Sequence, residues 1–184
     1  MKLVAQELLI HASADQLYEL LVDPELFVQW MADDAALDPT PGGRIRWTHA
    51  NGDTCSGTYV ELIPGHRVVF TYGWERPDVQ IPPGSTTVEI DLLPHDDHTT
   101  LLKLVHRGLD DPAAEAHDGG WRHYLDRLRS TAQGAPPGPD PFVDRRVPTP
   151  EELRQPWPSR HQVRPSSGTS PSRSSSAPTS PARR

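Results

Sequence analysis

Between Arg44 and Arg107 the chain alternates apolar and polar residues in short runs, separated by turns too short to hold a crossover helix. Arg44–His49 and Thr54–Ile63 flank the Asn51-Gly52 dipeptide, a strong hairpin signal, and Pro64-Gly65 turns the chain into Arg67–Trp74. In that run Val68, Phe70, Tyr72 and Trp74 share one face and Val69, Thr71 and Gly73 the other. After a proline-rich loop, Thr86–Leu93 sets Val88, Ile90 and Leu92 against Thr87, Glu89 and Asp91. The turn Pro94–His98 leads into Thr99–Arg107, with Leu102, Leu104 and His106 in phase. Only an antiparallel meander accommodates this order.

The flanks are read singly. Residues 2–10 form a strand with Val4, Leu8 and Ile10 at period two and Gln6 as the polar exception. Ser13 is a helix N-cap with Gln16 three residues on, and Leu17, Leu20 and Leu21 follow at helical spacing. Asp23-Pro24 ends that helix and starts another with Leu26, Phe27, Trp30 and Met31 on its apolar face. Near the end of the body, Trp121, Tyr124, Leu125 and Leu128 obey the i, i+3, i+4, i+7 rule on a helix reaching Ala132, and Gly134 with Pro136-Pro137 stops it. A sheet with a single long helix buries that helix on one face, so the expected class is α+β, with a curved antiparallel sheet of about six or seven strands gripping the helix.

Composition divides the chain. Of its 21 prolines, 12 lie in residues 134–184, and the last twenty residues are mostly Ser, Pro and Arg. Residues 1–133 carry 10 Lys and Arg against 21 Asp and Glu; the remainder carries 8 against 4. The expectation is one domain over 1–133 and a Pro/Ser/Arg-rich tail over 134–184, mostly disordered for want of apolar surface. Phe142, Val143, Val147, Leu153 and Trp157 make the first half of that tail able to dock on the domain or on a partner. An acidic body lacks the basic face that nucleic acid requires, and no apolar run approaches the roughly 20 residues of a membrane span. The N-terminus is a poor signal peptide and the lone Cys55 fits a reducing compartment, so the expected location is cytoplasmic.

Several stretches together resemble the helix-grip superfamily of START-related and SRPBCC domains, in the branch related to the activator of heat-shock protein 90 ATPase. They are Ile10–Val22 with Asp23-Pro24 and Trp30, Pro41-Gly42-Gly43, Gly57-Thr58-Tyr59 with Glu61, Arg67–Phe70 leading to Trp74-Glu75, and Pro83-Gly84-Ser85-Thr86. Thr99–Leu102, His106-Arg107-Gly108-Leu109 and Gly119-Gly120-Trp121 complete the set, which spans essentially residues 1–133. The resemblance implies a cavity between sheet and long helix that binds apolar or amphipathic ligands; some related branches are cyclases or aromatases. A second domain of the larger co-chaperones has no counterpart here.

The inward set expected to line such a cavity is Trp30, Phe70, Tyr72, Trp74, Leu104, His106, Trp121 and Tyr124. Apolar walls supply burial and a few polar groups fix orientation. His106, in phase with Leu102 and Leu104, is the strongest polar candidate, against the plain alternative of a buried histidine satisfied by its neighbours. No metal or cofactor is expected: His95-Asp96-Asp97-His98 reads as a solvated turn, and His117 and His123 do not share a helix face. Cys55 has no adjacent base, and Asp110-Asp111-Pro112 reads as a loop or helix cap. The leading expectation is a non-enzymatic binding domain that holds a small hydrophobic or amphipathic ligand in a cavity between the sheet and the C-terminal helix. The alternatives are a protein-interaction module of co-chaperone type and a cyclase- or dehydratase-like enzyme using His106 with Tyr72 or Tyr124.

Overall fold

In the computed structural model, which describes residues 2–140, 142–147 and 149–154, strands and helices follow in the anticipated order. β1 (Lys2–Ile10) leads to α1 (Ala14–Val22) and α2 (Pro24–Phe27), then to β2 (Asp34–Leu37), β3 (Arg44–Thr48), β4 (Thr54–Ile63), β5 (Arg67–Tyr72), β6 (Thr86–Asp96) and β7 (Thr99–Leu109). The long α3 (Asp111–Ala132) and the short α4 (Pro150–Arg154) close the chain. All pairings are antiparallel in one seven-stranded sheet of order β1-β7-β6-β5-β4-β3-β2. β2 to β7 are a pure meander, and only β1 crosses, passing to the far edge beside β7.

Capping explains the helix boundaries. The Ser13 side chain accepts from the Gln16 backbone N–H at 3.2 Å, but the Gln16 amide does not reach back to complete a capping box; it donates to the Ala132 carbonyl at 2.9 Å. The first helix is thereby tied to the end of α3. Asp23 caps α2 by accepting from the backbone of Glu25 and Leu26, and Asp110 caps α3 by accepting from Ala113 at 2.9 Å. With its cap at Asp110, α3 begins a full two turns before Gly120, so both Gly119 and Gly120 lie within it. A Cβ at Gly119 would meet nothing within 4 Å, so Gly119→Ala should raise stability by about 0.5–1 kcal/mol through helix propensity alone, a gain that denaturant titration would measure.

The concave face of the sheet carries the core. Its central row runs Val4, His106, Val88, Phe70 and Tyr59, each paired in register with the next across five strands and all buried. α3 lies across this face, burying Trp121, Leu125 and Leu128 against it. Gln6, the polar exception of β1, faces α3 as well and donates to Asp118 at 2.5 Å. The outer face is wet. There Arg67 on β5 pairs with Glu61, Glu89 and Asp91 from β4 and β6. Among the described residues, no helix is long and apolar enough to cross a membrane.

Beyond α3, residues 138–147 do not leave the domain. Arg127 on α3 donates to the Gly138 carbonyl at 2.7 Å, Arg76 to the Val147 carbonyl at 3.0 Å, and Asp53 accepts from the Val147 backbone N–H at 2.6 Å. Phe142 and Val147 pack partly buried on the core, while Val143 stays exposed. Residues 138–140 and 142–147 therefore form a strap on the domain, and the physical reason is that they offer two apolar side chains and several backbone groups that the domain's Asp and Arg side chains satisfy. The expectations for Trp157, for the Leu153 side chain and for disorder over 155–184 lie outside the described residues.

Candidate functional site

Three strands and one helix bring together the aromatic residues of the inner face. β3 contributes Trp47, β5 contributes Tyr72, and the short bridge between Cys55 and Trp74 extends the β4–β5 pairing far enough to aim Trp74 inward. α3 supplies His117, Trp121 and Tyr124, spaced so that all three face the sheet. Between them lies a cavity of about 150 Å³, with Met31 and Ala116 in its walls and Phe142, Arg145, Arg146 and Val147 of the strap across its mouth.

Of the eight residues anticipated for this wall, Tyr72, Trp74, Trp121 and Tyr124 line the cavity. The other four do not. Trp30 is buried between α1 and the sheet, donating from its indole to the Leu20 carbonyl at 2.8 Å and meeting Phe27 edge to face. Phe70 sits between Trp47 and Tyr59, one register step deeper than Tyr72. Leu104 is fully buried beneath the helix. Alternation assigns a residue to a face of the sheet, but the position of α3 decides whether that face opens on the cavity or is filled.

His106 is the main correction. It is wholly inaccessible, and both ring nitrogens are engaged. Nδ1 accepts from the Trp121 indole N–H at 3.1 Å, so Nε2 carries the proton and donates to the Thr86 hydroxyl at 2.8 Å, which in turn donates to the Tyr72 carbonyl at 2.9 Å. Burial, then the neighbouring His117, push its pKa down to about 3. This is a neutral imidazole used to satisfy a buried indole and hydroxyl. With no free lone pair or proton turned to the cavity, His106 has no acid or base function to offer there.

The same pairing occurs three times. The Trp47 indole donates to His49 Nε2 at 3.0 Å, and the Trp74 indole to His117 Nε2 at 3.4 Å while His117 Nδ1 donates to the Ala113 carbonyl at 2.8 Å. Burial lowers the pKa of both histidines; nearby Asp140 and Asp53 oppose it at His49, and the Ala113 carbonyl and Asp110 oppose it at His117. Each tryptophan thus needs a neutral histidine as its acceptor. Sequence reasoning passes over Trp47 and His49, although they continue Ile45 at period two on one strand, and it weighs His117 only as a metal ligand although it stands one turn before Trp121.

A polar relay runs from His49 to the cavity mouth. Because Nε2 accepts from Trp47, His49 Nδ1 carries the proton and donates to the Tyr124 hydroxyl at 3.0 Å, and Tyr124 donates to Asp140 Oδ2 at 2.8 Å. Burial pushes Asp140 up, but the Phe142 backbone N–H, the Tyr124 hydroxyl, Arg127 and His123 together outweigh it and hold the carboxyl below its usual range. Cys55 lies beneath, its thiol on the Tyr72 hydroxyl at 3.5 Å and 3.9 Å from His49, and complete burial raises its pKa well above the ordinary value. A protonated, enclosed thiol is a packing group rather than a nucleophile. Among the described residues no three His, Cys, Asp or Glu are placed to hold a metal.

A meander sheet curled about one long helix, with an aromatic cavity held between them, defines a helix-grip domain. The chain belongs to the family described as activator of Hsp90 ATPase homolog 1-like proteins, whose model matches residues 11–133. The AHSA1-like protein of Rhizobium etli is 38% identical, with 80% of this chain and 91% of that one covered at a TM-score of 0.60. The Aha1 dimer of Colwellia psychrerythraea superposes at a TM-score of 0.60 with 20% identity over 72% of this chain and 96% of that one. DynU16, a protein of the dynemicin biosynthetic locus, gives a TM-score of 0.64 with 22% identity over 76% of this chain but 51% of its own. No curated protein sequence matches the chain significantly.

Proposed function

We propose that the domain binds a small, largely apolar molecule in the cavity between the sheet and α3. The observation that carries this is the void of about 150 Å³ walled by Trp47, Tyr72, Trp74, Trp121 and Tyr124, whose indoles and imidazoles already satisfy one another. A cavity whose polar atoms are paired among themselves has little to hold water. A ligand of matching shape gains contact with the aromatic walls and removes their apolar surface from water. In this reading the aromatic walls supply burial and the Tyr124 hydroxyl supplies orientation. The aromatic walls, which can stack on or meet a ring edge to face, support ring-bearing ligands as a class to test.

The test is native mass spectrometry of the full chain against a mixed panel of fatty acids, flavonoids and polyketide-like aromatics, repeated with Gly120→Leu. Gly120 lines the cavity from α3 and a Cβ there meets nothing within 4 Å, so leucine grows into the void without displacing the helix. We expect a retained adduct that weakens by at least about tenfold in Gly120→Leu, with a melting temperature unchanged or raised. Binding that survives the filled cavity would place the ligand elsewhere. The family's description supports a second reading, a protein-interaction module, for which stimulation of a chaperone ATPase by the purified protein is the measurement.

A further inference from the structure

The strap completes the cavity with chemistry that resembles a ligand. Its Asp140 carboxylate, 14% exposed, receives the Tyr124 hydroxyl, stands 3.4 Å from His123 Nε2 and lies near Arg127. Two residues on, the Phe142 ring meets His123 edge to face at 5.2 Å and Tyr124 at 6.3 Å. An anionic acceptor and an aromatic ring thus sit side by side at the mouth, contributed by a segment beyond the residues that the family model matches. Without them the Tyr124 proton, already fixed in direction by His49, points outward with no acceptor among the described residues.

The attachment of the strap is mostly polar, with Phe142 and Val147 as its two apolar contacts. Besides Asp140 the polar part consists of Asn51 on the Arg145 carbonyl, Arg76 and Asp53 on the Val147 backbone, and Arg127 on the Gly138 carbonyl. Water can replace each of these bonds once the strap lifts, and Asp53 keeps its partner Arg76 when Val147 leaves. The void below is small for a ligand of ordinary size. Withdrawal of Phe142 and Val147, which line its mouth, would enlarge it.

We propose that Asp140 and Phe142 occupy the site in place of its ligand, which is an aromatic carboxylate: its carboxylate replaces that of Asp140 on Tyr124, its ring replaces Phe142, and the strap is displaced as it enters. This rests on the cavity being a binding site, and it adds the ligand's charge and the competition with the chain's own segment. Arg127 of α3, which faces the Asp140 carboxylate and stays in place when the strap leaves, favours an anion over a neutral analogue.

The experiment is calorimetric titration of the full chain with 2-naphthoate and with its neutral counterpart 2-naphthamide. In Asp140→Ala, affinity for naphthoate should rise by about tenfold or more and for naphthamide by less than about threefold. Asp144→Ala, which removes an exposed charge from the same segment, should change neither. Adding Tyr124→Phe to Asp140→Ala should narrow the preference for naphthoate over naphthamide, leaving only the part that Arg127 supplies. Naphthoate should also accelerate tryptic cleavage at Arg145 and Arg146 in the unaltered chain. Equal gains for both probes, no gain in Asp140→Ala, or binding without faster cleavage would overturn the competition while leaving the cavity reading intact. Absence of binding by either probe to every folded variant would remove both.

Discussion

His106→Ala is expected to lower the stability of the domain by about 3–5 kcal/mol, read as a shift of the denaturant midpoint at constant slope. Two costs combine. Removing a wholly buried ring leaves a cavity under α3 at the centre of the row from Val4 to Tyr59, and buried large-to-small changes cost about 2–5 kcal/mol. In addition the Trp121 indole is left without an acceptor away from water, and the Thr86 hydroxyl, still donating to the Tyr72 carbonyl, loses the donor it accepted from. His106→Leu refills the volume without restoring the bonds. It should recover part of the loss, and the pair His106→Leu with Trp121→Phe should show a coupling of about 1–3 kcal/mol, because the double variant has no orphaned indole. A catalytic His106 would give the opposite pattern, with stability kept and turnover lost.

Acid should unfold the domain unusually early. His49, His106 and His117 all have folded-state pKa values below the ordinary histidine value, chiefly from burial. The unfolded chain therefore binds protons below about pH 6.5 that the folded chain refuses, and stability falls as pH falls. The contribution of each group is fully present above pH 6.5 and is lost as pH drops toward the folded value, which for His106 is about 3. Each fully excluded proton costs about 1.4 kcal/mol per pH unit, a slope that His106 alone approaches between pH 6 and 5, and His49 and His117 add to it in the same direction. Carboxylates held below their usual range, Glu75, Glu89 and Asp140 among them, add their own loss only at lower pH. Denaturant titrations at pH 7.5, 6.5 and 5.5 measure this directly. A flat profile over that range would mean that the three imidazoles accept protons in the folded state, which the tryptophan donors facing them do not permit.

Both expectations follow from one arrangement, the three indole–imidazole pairs. A large aromatic residue brings a polar N–H into the core with it, and an enclosed site must supply an acceptor. Histidine does so from two residues along the same strand run, as His49 for Trp47, or from another element that the fold brings alongside, as His106 of β7 for Trp121 of α3 and His117 of α3 for Trp74. The acceptor must stay neutral, and that requirement converts a packing solution into sensitivity to acid.

The class of fold was legible in the chain because its signals are local. Period-two alternation, the Asn51-Gly52 and Pro64-Gly65 turns, the Ser13 and Asp110 caps and the single amphipathic helix each depend on residues a few positions apart. Half of the anticipated cavity wall, Tyr72, Trp74, Trp121 and Tyr124, was legible for the same reason. The remainder depended on contacts far apart in the chain. Whether His106 meets the cavity or an indole is decided by the angle of α3 across β7, and no spacing within Thr99–Arg107 encodes that angle. The strap shows the limit most clearly: proline content marks residues 134–184 as poor in core-forming material, yet Asp140, Phe142 and Val147 dock because Tyr124, Asp53 and Arg76, brought together only by the folded sheet and helix, present the partners their polar groups need.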